Sequence, residues 1–199
     1  MIISLTGFMG CGKSSVGKEL SRLLCCPFID LDDVIEERAG RTIPEIFATD
    51  GEKVFRQMEL ETLQDLAVGG KMPLPFNRRH GQETACNDED TLILALGGGA
   101  VMTEACAEIV REKTLCIYLK ASLDTLVEHL SGGEAAGRPM LSGGSHSERP
   151  KGNEESALRT RIENLMALRS ETYEKTAHII IDTDGKSIEE TANLILTTT

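Results

Sequence analysis

Five short apolar runs, each bounded by turn residues, recur along this chain. Runs of this length indicate buried strands. They cover residues 1–6, 26–31, 91–96, 114–119 and 178–182. Between the runs, apolar residues return at intervals of three and four positions, which predicts helices. The helical stretches cover residues 13–24, 32–40, 52–67, 104–112, 123–130, 158–175 and 188–197.

The alternation of strands and helices predicts an α/β fold. Strands that are apolar throughout are typical of a parallel sheet with helices on both faces and right-handed crossovers. Two helix starts, Thr42–Glu45 and Ser187–Glu190, carry the capping-box pattern, in which a hydroxyl and a carboxylate satisfy backbone amides reciprocally. The length of 199 residues suits one domain, and we expect a single domain over residues 1–199.

Two segments, at about residues 69–90 and 131–156, interrupt the alternation with Gly, Pro, Ser and charged residues and show no periodicity. Such composition is typical of surface loops, and long loops in compact domains often serve function. We expect the first segment to be a surface insertion and the second to be a moving lid.

The chain is strongly acidic, with a formal net charge of −11 and no dense block of Lys and Arg. Nucleic-acid binding depends on many cations, so we expect no nucleic-acid partner. No apolar run reaches the roughly 18–20 residues that span a bilayer, and no basic segment precedes the first run. The six cysteines lack metal-ligand spacing, which favours free thiols in a reducing compartment. We therefore expect a cytoplasmic protein with its own start intact and no membrane contact.

Residues Gly7–Ser14, GFMGCGKS, match the phosphate-loop pattern G-x-x-x-x-G-K-[ST]. A predicted strand ends just before the loop and a predicted helix begins near Lys13, which is the context that this pattern requires. Glycines let backbone amides face a phosphate, and the helix adds its positive N-terminal end. Lys13 supplies charge for the β- and γ-phosphates, and the Ser14 hydroxyl suits Mg²⁺. The loop predicts a nucleoside triphosphate with Mg²⁺, but it does not separate a kinase from a GTPase, an ATPase or a nucleotide sensor.

Three aspartates, Asp30, Asp32 and Asp33, lie at the end of the second predicted strand. Asp30 and Asp32 lie two apart, so on a strand they share one face, at the carboxyl edge where α/β sheets bind ligands. One carboxylate could hold Mg²⁺ through water while the other accepts a proton from a hydroxyl. For Asp33, the start of a helix is the preferred interpretation. Arg56 and Glu59 lie three apart on a predicted helix, a spacing that by itself favours a surface ion pair.

Five stretches together resemble the shikimate kinase family, in the family's order and over nearly the whole chain. They are GFMGCGKSS, residues 28–59, LALGGGAV, GRPML and MALRSETY. The second and third are the most specific, because phosphate loops occur in many families. The resemblance implies a three-layer P-loop kinase fold of the nucleoside-monophosphate-kinase type. Its five-stranded parallel sheet is flanked by helices, with a helical substrate-binding segment at about residues 32–68 and a lid.

The resemblance also implies roles for individual residues. The ATP-binding residues are Gly10, Cys11, Gly12, Lys13, Ser14, Ser15 and Arg138. The substrate-binding residues are Asp32, Arg56, Gly98 and Arg169. The catalytic residues are Lys13, Asp32 and Arg138, and the magnesium ligands are Ser14 and Asp30.

The implied reaction is in-line transfer of the γ-phosphoryl group of MgATP to the 3-hydroxyl of shikimate, giving shikimate 3-phosphate and ADP in chorismate and aromatic amino-acid biosynthesis. Asp32 is the candidate base, and Arg56 and Arg169 clamp the carboxylate in the bidentate manner of guanidinium groups. Gly98 brings its backbone amide against the substrate, and Arg138 comes down with the lid. We expect shikimate and ATP as partners and a monomer as the assembly.

The sequence departs from the family pattern near the lid. Before GRPML the family often has an arginine that stacks on adenine, where this chain has His129 and Leu130. We interpret His129 as a helix-surface histidine, which leaves adenine recognition open. Segment 69–90 and the lid are also longer than the family pattern.

Two other functions stay open on the residues alone. One is a related small-molecule P-loop kinase, acting on gluconate or a nucleoside monophosphate. The other is a nucleotide-dependent switch that transfers no phosphate to a metabolite. The guanine-reading motif N-K-x-D does not occur, which counts against a GTPase.

Overall fold

The computed structural model describes residues 1–68, 91–131 and 151–199, with side chains from residue 156 onward in the last range. In these ranges five strands alternate with helices. The strands are β1 (Ile2–Thr6), β2 (Phe28–Asp30), β3 (Leu92–Ala95), β4 (Leu115–Lys120) and β5 (Ile179–Asp182). The helices are α1 (Lys13–Leu24), α2 (Leu31–Ala39), α3 (Ile43–Thr49), α4 (Gly51–Ala67), α5 (Glu104–Lys113), α6 (Leu123–Ser131), α7 (Lys151–Thr176) and α8 (Ile188–Thr198).

The five strands form one parallel sheet in the order β2-β3-β1-β4-β5. The predicted fold class is therefore confirmed. Every residue of β3 is buried, and so are the inner residues of β4, as expected for strands covered on both faces. Because all strands run the same way, the loops after β1, β2 and β3 meet at one edge of the sheet. The site is built at this edge.

Local sequence signals set most helix boundaries. The capping boxes at Thr42 and Ser187 are both formed, with the hydroxyl and the glutamate carboxylate each engaging the partner's backbone. α1 begins at Lys13 and ends at Leu24, as predicted. A hydrogen bond from the Ser14 hydroxyl to the Asp30 carboxylate joins this helix to the end of β2.

Two differences from the predicted boundaries bear on the site. β2 ends at Asp30 and α2 begins at Leu31, because the Asp30 side chain accepts a hydrogen bond from the Asp32 backbone and caps the helix. α7 begins at Lys151, so the last part of the predicted lid is helical. Its first residues, KGNEESA, carry no apolar stripe and therefore gave no periodic signal. The insertion at 69–90 and the rest of the predicted lid lie outside the described residues.

A bilayer span demands a helix that is both long and apolar. Among the helices in the described ranges, none meets both demands, so none could cross a membrane.

Candidate active site

The loop between β1 and α1 has the backbone of an anion-binding turn. Gly7, Gly10 and Gly12 have positive φ angles of 142°, 81° and 89°, a region that residues with a Cβ rarely adopt. The predicted strand, loop and helix arrangement around the phosphate pattern is confirmed. Positive φ angles at three glycines allow the tight turn that amide-lined anion sites require.

Lys13 lies over this loop. Its Nζ donates hydrogen bonds to the carbonyls of Gly7 and Phe8, each at 2.9 Å, and lies 3.8 Å from Cys11 Sγ. The Cys11 side chain is buried, at 4% exposure. Two carbonyls thus hold the ammonium at the mouth of the loop, while the thiol packs beneath it.

Ser14 and Asp30 join the first helix to the second strand. The Ser14 hydroxyl donates to Asp30 Oδ2 at 2.6 Å, and Asp30 Oδ1 accepts from the Asp32 backbone N–H at 3.1 Å. Within the described ranges, no group of three or more His, Cys, Asp or Glu side chains is placed to hold a metal. A hydroxyl with one carboxylate fits Mg²⁺ bound to a nucleotide, since that ion commonly keeps water and phosphate oxygens as its other ligands.

Asp32 lies in the first turn of α2 and not on β2. The expectation that Asp30 and Asp32 share one strand face is therefore wrong. The two carboxylates reach the same cleft from a strand end and from a helix. Asp33 lies in the first turn of α2, where an acidic side chain at a helix start was predicted, and it lines the cleft as well.

Arg56 on α4 forms two ion pairs. Its Nη1 lies 2.8 Å from Glu59 Oε2, and its Nη2 lies 3.2 Å from Glu52 Oε1. The Glu59 side chain has 0% exposure and that of Arg56 has 18%. The spacing by itself favoured a surface pair; the fold makes it a buried one, because the helix face that carries Glu59 packs into the core.

Burial and charge act against each other in this pair. Burial raises the pKa of the Glu59 carboxyl, and the facing charge of Arg56 opposes the shift without cancelling it. For Arg56, burial acts to lower the pKa, but attraction to Glu59 and the hydrogen bonds to Glu59 and Glu52 outweigh it, so the pKa is raised. The guanidinium charge is therefore retained inside the cleft.

The glycine triplet after β3 fits between these charged groups. A Cβ on Gly97 would lie 2.7 Å from Asp32 Oδ1 and 2.8 Å from Glu59 Oε1, and one on Gly99 would lie 2.8 Å from Arg56 Nη1. Such distances are too short for any real Cβ, so the absence of side chains lets the carboxylates and the guanidinium approach the backbone. At Gly98 the corresponding neighbour is the Met9 backbone nitrogen, at 3.2 Å. Contact of the Gly98 amide with a substrate stays a prediction.

Arg169 on α7 is held next to the same triplet. It is buried, at 6% exposure, and its Nη1 donates to the Gly98 carbonyl at 3.3 Å. The Tyr173 hydroxyl, one turn later, donates to the same carbonyl. Burial raises the pKa of Tyr173, which keeps its hydroxyl protonated as a donor. Two donors on one helix thus position Gly98 and Arg169 together.

These groups surround one cleft of about 1020 Å³. The predicted site residues that line it are Gly10, Gly12, Lys13, Ser14, Ser15, Asp30, Asp32, Arg56, Gly98 and Arg169. Cys11 contributes its backbone to the loop while its side chain is buried. Arg138 lies outside the described residues.

Further lining residues were not singled out from the sequence. One side of the cleft is an apolar wall of Ile43, Pro44, Phe47 and Phe55, in which the ring centroids of the two phenylalanines lie 4.8 Å apart. A second rim of the cleft consists of Lys186, Ser187 and Ile188. The sequence could not single out the apolar wall, because aromatic residues that line a cleft have the same spacing on a helix as those that fill a core. The capping box at Ser187 did mark a helix start after β5, at the ligand-binding edge, and this was the available clue to the second rim.

His129 also lines the cleft. It is exposed on α6, as predicted for a helix-surface histidine. Its Nδ1, however, lies 2.8 Å from the Gly10 carbonyl oxygen of the phosphate loop. This contact joins positions 119 residues apart and had no local signature.

A family model for shikimate kinase matches residues 9–72 and 82–199 of this chain. The chain belongs to the shikimate kinase family. The residues between the two matched ranges, 73–81, fall within the predicted insertion. Membership makes the chain a phosphotransferase of the kinase class and confirms the resemblance carried by the five motifs.

Individual shikimate kinases match over nearly the whole chain. One from Salinibacter ruber is 36% identical over 196 residues, covering 98% of this chain and 83% of that protein. One from Thermus thermophilus is 38% identical over 194 residues, covering 98% of this chain and 87% of that protein. The solved structure of shikimate kinase from Acinetobacter baumannii in complex with shikimate has a TM-score of 0.76 at 29% identity, covering 99% of this chain and 91% of that one.

Proposed function

We propose that this chain transfers the γ-phosphoryl group of MgATP to the 3-hydroxyl of shikimate, giving shikimate 3-phosphate and ADP in aromatic amino-acid biosynthesis. One observation carries the proposal. A single cleft contains a phosphate loop with Lys13 and Ser14 and, facing it, a carboxylate and arginine set with Asp32, Arg56 and Arg169. A triphosphate and an acceptor that bears one carboxylate and several hydroxyls need these two sets of groups in one place.

On the donor side, residues Gly10–Ser15 of the loop bind the phosphates, and Lys13 contributes positive charge to them. Ser14 and Asp30 hold Mg²⁺, which supplies neutralisation of phosphate charge when bound. Asp30 is suited to this because its carboxylate already lies 2.6 Å from the Ser14 hydroxyl. Arg138, in GRPML, adds a further charge to the transferring group.

On the acceptor side, Arg56 and Arg169 bind the shikimate carboxylate. Arg56 is oriented by Glu59, and Arg169 is oriented by its bond to the Gly98 carbonyl. Asp32 accepts hydrogen bonds from the ring hydroxyls and takes the proton of the 3-hydroxyl as the bond to phosphorus forms. The apolar wall around Phe47 and Phe55 covers the carbon ring and excludes water. Positioning supplies most of the rate enhancement, as in other phosphoryl transfers.

The setting proposed for this activity is the cytoplasm, with the chain as a monomer. The net charge of −11 supports the absence of a nucleic-acid partner. It does not conflict with anionic substrates, because the cleft has its own positive charges at Lys13, Arg56 and Arg169. Light scattering coupled to size-exclusion chromatography measures the assembly directly. A dimer mass would contradict the monomer.

The function is tested by ADP release from MgATP in a coupled assay. We expect release with shikimate and none with gluconate, a nucleoside monophosphate or no acceptor. Proton and phosphorus NMR of the product locate the phosphate on the 3-oxygen. Lys13→Ala is the inactive control, with circular dichroism to show that it remains folded. Release without an acceptor would instead indicate a nucleotide-dependent switch, and release with another acceptor would indicate a related kinase.

A further inference from the structure

Gly10 of the phosphate loop is held from two sides by the last turn of α6. The His129 Nδ1 lies 2.8 Å from the Gly10 carbonyl oxygen. A carbonyl oxygen only accepts hydrogen bonds, so Nδ1 carries the hydrogen and donates. On the Cα side, the Leu130 side chain lies 3.1 Å from where a Cβ on Gly10 would be. The loop is thus seated on α6 at this residue.

The contact continues through the backbone to the lysine. The Gly10 carbonyl and the Cys11 N–H belong to one planar peptide unit and point in opposite directions. The Cys11 N–H donates to the Phe8 carbonyl at 3.3 Å, and the same carbonyl accepts from Lys13 Nζ at 2.9 Å. A continuous path therefore runs from His129, through one peptide unit and the Phe8 carbonyl, to the Lys13 ammonium.

The helix that carries His129 is fixed at its other end. Asp184, in the loop after β5, accepts from the Ser122 N–H at 2.9 Å and from the Thr125 hydroxyl at 2.7 Å. Three α6 side chains are also buried in the core, Leu126, Val127 and Leu130. The last turn of α6 is therefore a firm support and not a freely moving helix end.

We propose that His129 is a positioning residue that locks the Gly10–Cys11 peptide and, through it, the Lys13 ammonium. The proposal rests on the proposed function, because it assigns His129 to the phosphate side of that reaction. Gly10 has no Cβ, so the peptide that follows it can rotate at little steric cost once the hydrogen bond is lost. Rotation would turn the Cys11 N–H away from the Phe8 carbonyl and so loosen one of the two carbonyls, of Gly7 and Phe8, that position the Lys13 ammonium.

The test compares three substitutions at this position with a matched control. His129→Leu keeps apolar bulk without a donor, and His129→Phe keeps a ring without a donor. His129→Asn places an amide N–H where Nδ1 stood. Glu128→Gln changes the neighbouring exposed position of α6 and serves as the control. Because His129 is exposed, all variants are expected to fold, which melting temperatures check.

A net hydrogen bond corresponds to about a threefold to tenfold effect. We expect His129→Leu and His129→Phe to weaken MgADP binding, measured by calorimetry, and to lower kcat, each by about this factor. KM for shikimate should stay unchanged, and His129→Asn should recover most of both losses. A purely structural role of His129 would not lower kcat and MgADP affinity while leaving KM for shikimate unchanged, and it would not be restored by His129→Asn.

Two results would overturn the proposal. The first is that all three substitutions change MgADP affinity and kcat equally, or that no substitution changes either. The second is a changed preference between ATP and GTP at unchanged kcat, which would place His129 on the base. MgADP binding needs no acceptor, so it decides the role of His129 even if shikimate proves not to be phosphorylated, the result that would refute the proposed function.

Discussion

Arg56 and Glu59 form an ion pair inside the cleft, with Nη1 2.8 Å from Oε2 and the carboxylate fully buried. Glu59 Oε1 also lies beside Gly97, on the same side of that glycine as Asp32 Oδ1, since a Cβ there would be 2.8 Å from the first oxygen and 2.7 Å from the second. Removing one member of a buried pair leaves the other charge uncompensated. The pair therefore fixes the direction of the Arg56 guanidinium, and the acceptor side of the cleft depends on it.

Shortening the guanidinium fork should weaken shikimate binding selectively. We expect Arg56→Lys and Arg169→Lys each to raise KM for shikimate about tenfold to a hundredfold, since lysine cannot make the bidentate bond to a carboxylate. KM for ATP should stay unchanged. Steady-state kinetics with each substrate varied measures both. Arg38→Lys, whose partner Asp65 is exposed, is the matched control. Unchanged shikimate KM in both variants would point to a different acceptor.

Asp32 should matter for turnover and little for the nucleotide. We expect Asp32→Asn to lower kcat about a hundredfold or more, because the amide cannot accept the proton of the hydroxyl. MgADP affinity, measured by calorimetry, should remain close to that of the unchanged chain. Asp30→Asn provides the contrast, since it removes the carboxylate beside Ser14 and should raise the Mg²⁺ concentration needed for half-maximal activity. If Asp32→Asn weakened only nucleotide binding, Asp32 would belong to the metal site.

A methyl group at Gly97 should disturb the site more than the fold. The added Cβ would lie 2.7 Å from Asp32 Oδ1 and 2.8 Å from Glu59 Oε1, so both carboxylates must move. We expect Gly97→Ala to lower kcat/KM for shikimate at least tenfold, since positioned groups lose effect with small displacements. The melting temperature should change little, because the atoms that must move are the ends of side chains. A variant with full activity would mean that the two carboxylates can shift without cost to catalysis.

Asp184 should make the stability of the chain sensitive to acid. The Ser122 backbone N–H, followed by the Thr125 and Ser122 hydroxyls, lowers the pKa of Asp184 below its ordinary value of 3.8. Above that value both folded and unfolded chains are ionised and the stabilisation is fully present. As the pH falls further the unfolded chain takes up the proton first, and the stabilisation is lost.

Asp184→Asn tests this dependence of stability on pH, since the asparagine side chain does not titrate. The stability advantage of the unchanged chain over the variant should be constant from pH 5 to 7 and should shrink below about pH 3.8. Urea denaturation at several pH values gives both free energies of unfolding. Glu128→Gln, on the exposed face of α6, is the control and should show no such narrowing. A constant advantage down to pH 3 would contradict the role of these hydrogen bonds.

The repeating elements could be predicted closely because their signals are local. The strand of residues 91–96 and the helix of residues 13–24 match β3 and α1 to within one residue at each end. The capping hydroxyls of Thr42 and Ser187 act on backbone only three residues away. Such short-range chemistry is contained in the sequence itself. The phosphate loop belongs to the same class, since its glycines, lysine and serine all lie within residues 7–14.

Asp32 shows where local pattern was insufficient. Its place on α2 depended on whether the Asp30 carboxylate would cap a helix or stay exposed at a strand end. Both states are compatible with the pattern of the second strand. The burial of Glu59 was likewise undecided, because an i, i+3 pair looks the same on a surface and in a cleft.

The order of residues along the chain is enough to establish the α/β architecture, the phosphate loop and, through five motifs, the family to which the chain belongs. The tertiary structure alone decided which charges meet. The strand order β2-β3-β1-β4-β5 brings three loops to one edge, so that Gly98 meets Arg169 across 71 positions and Gly10 meets His129 across 119. Contacts between residues so far apart in sequence depend on how strands pair and helices pack, and they cannot be predicted from any short stretch of residues.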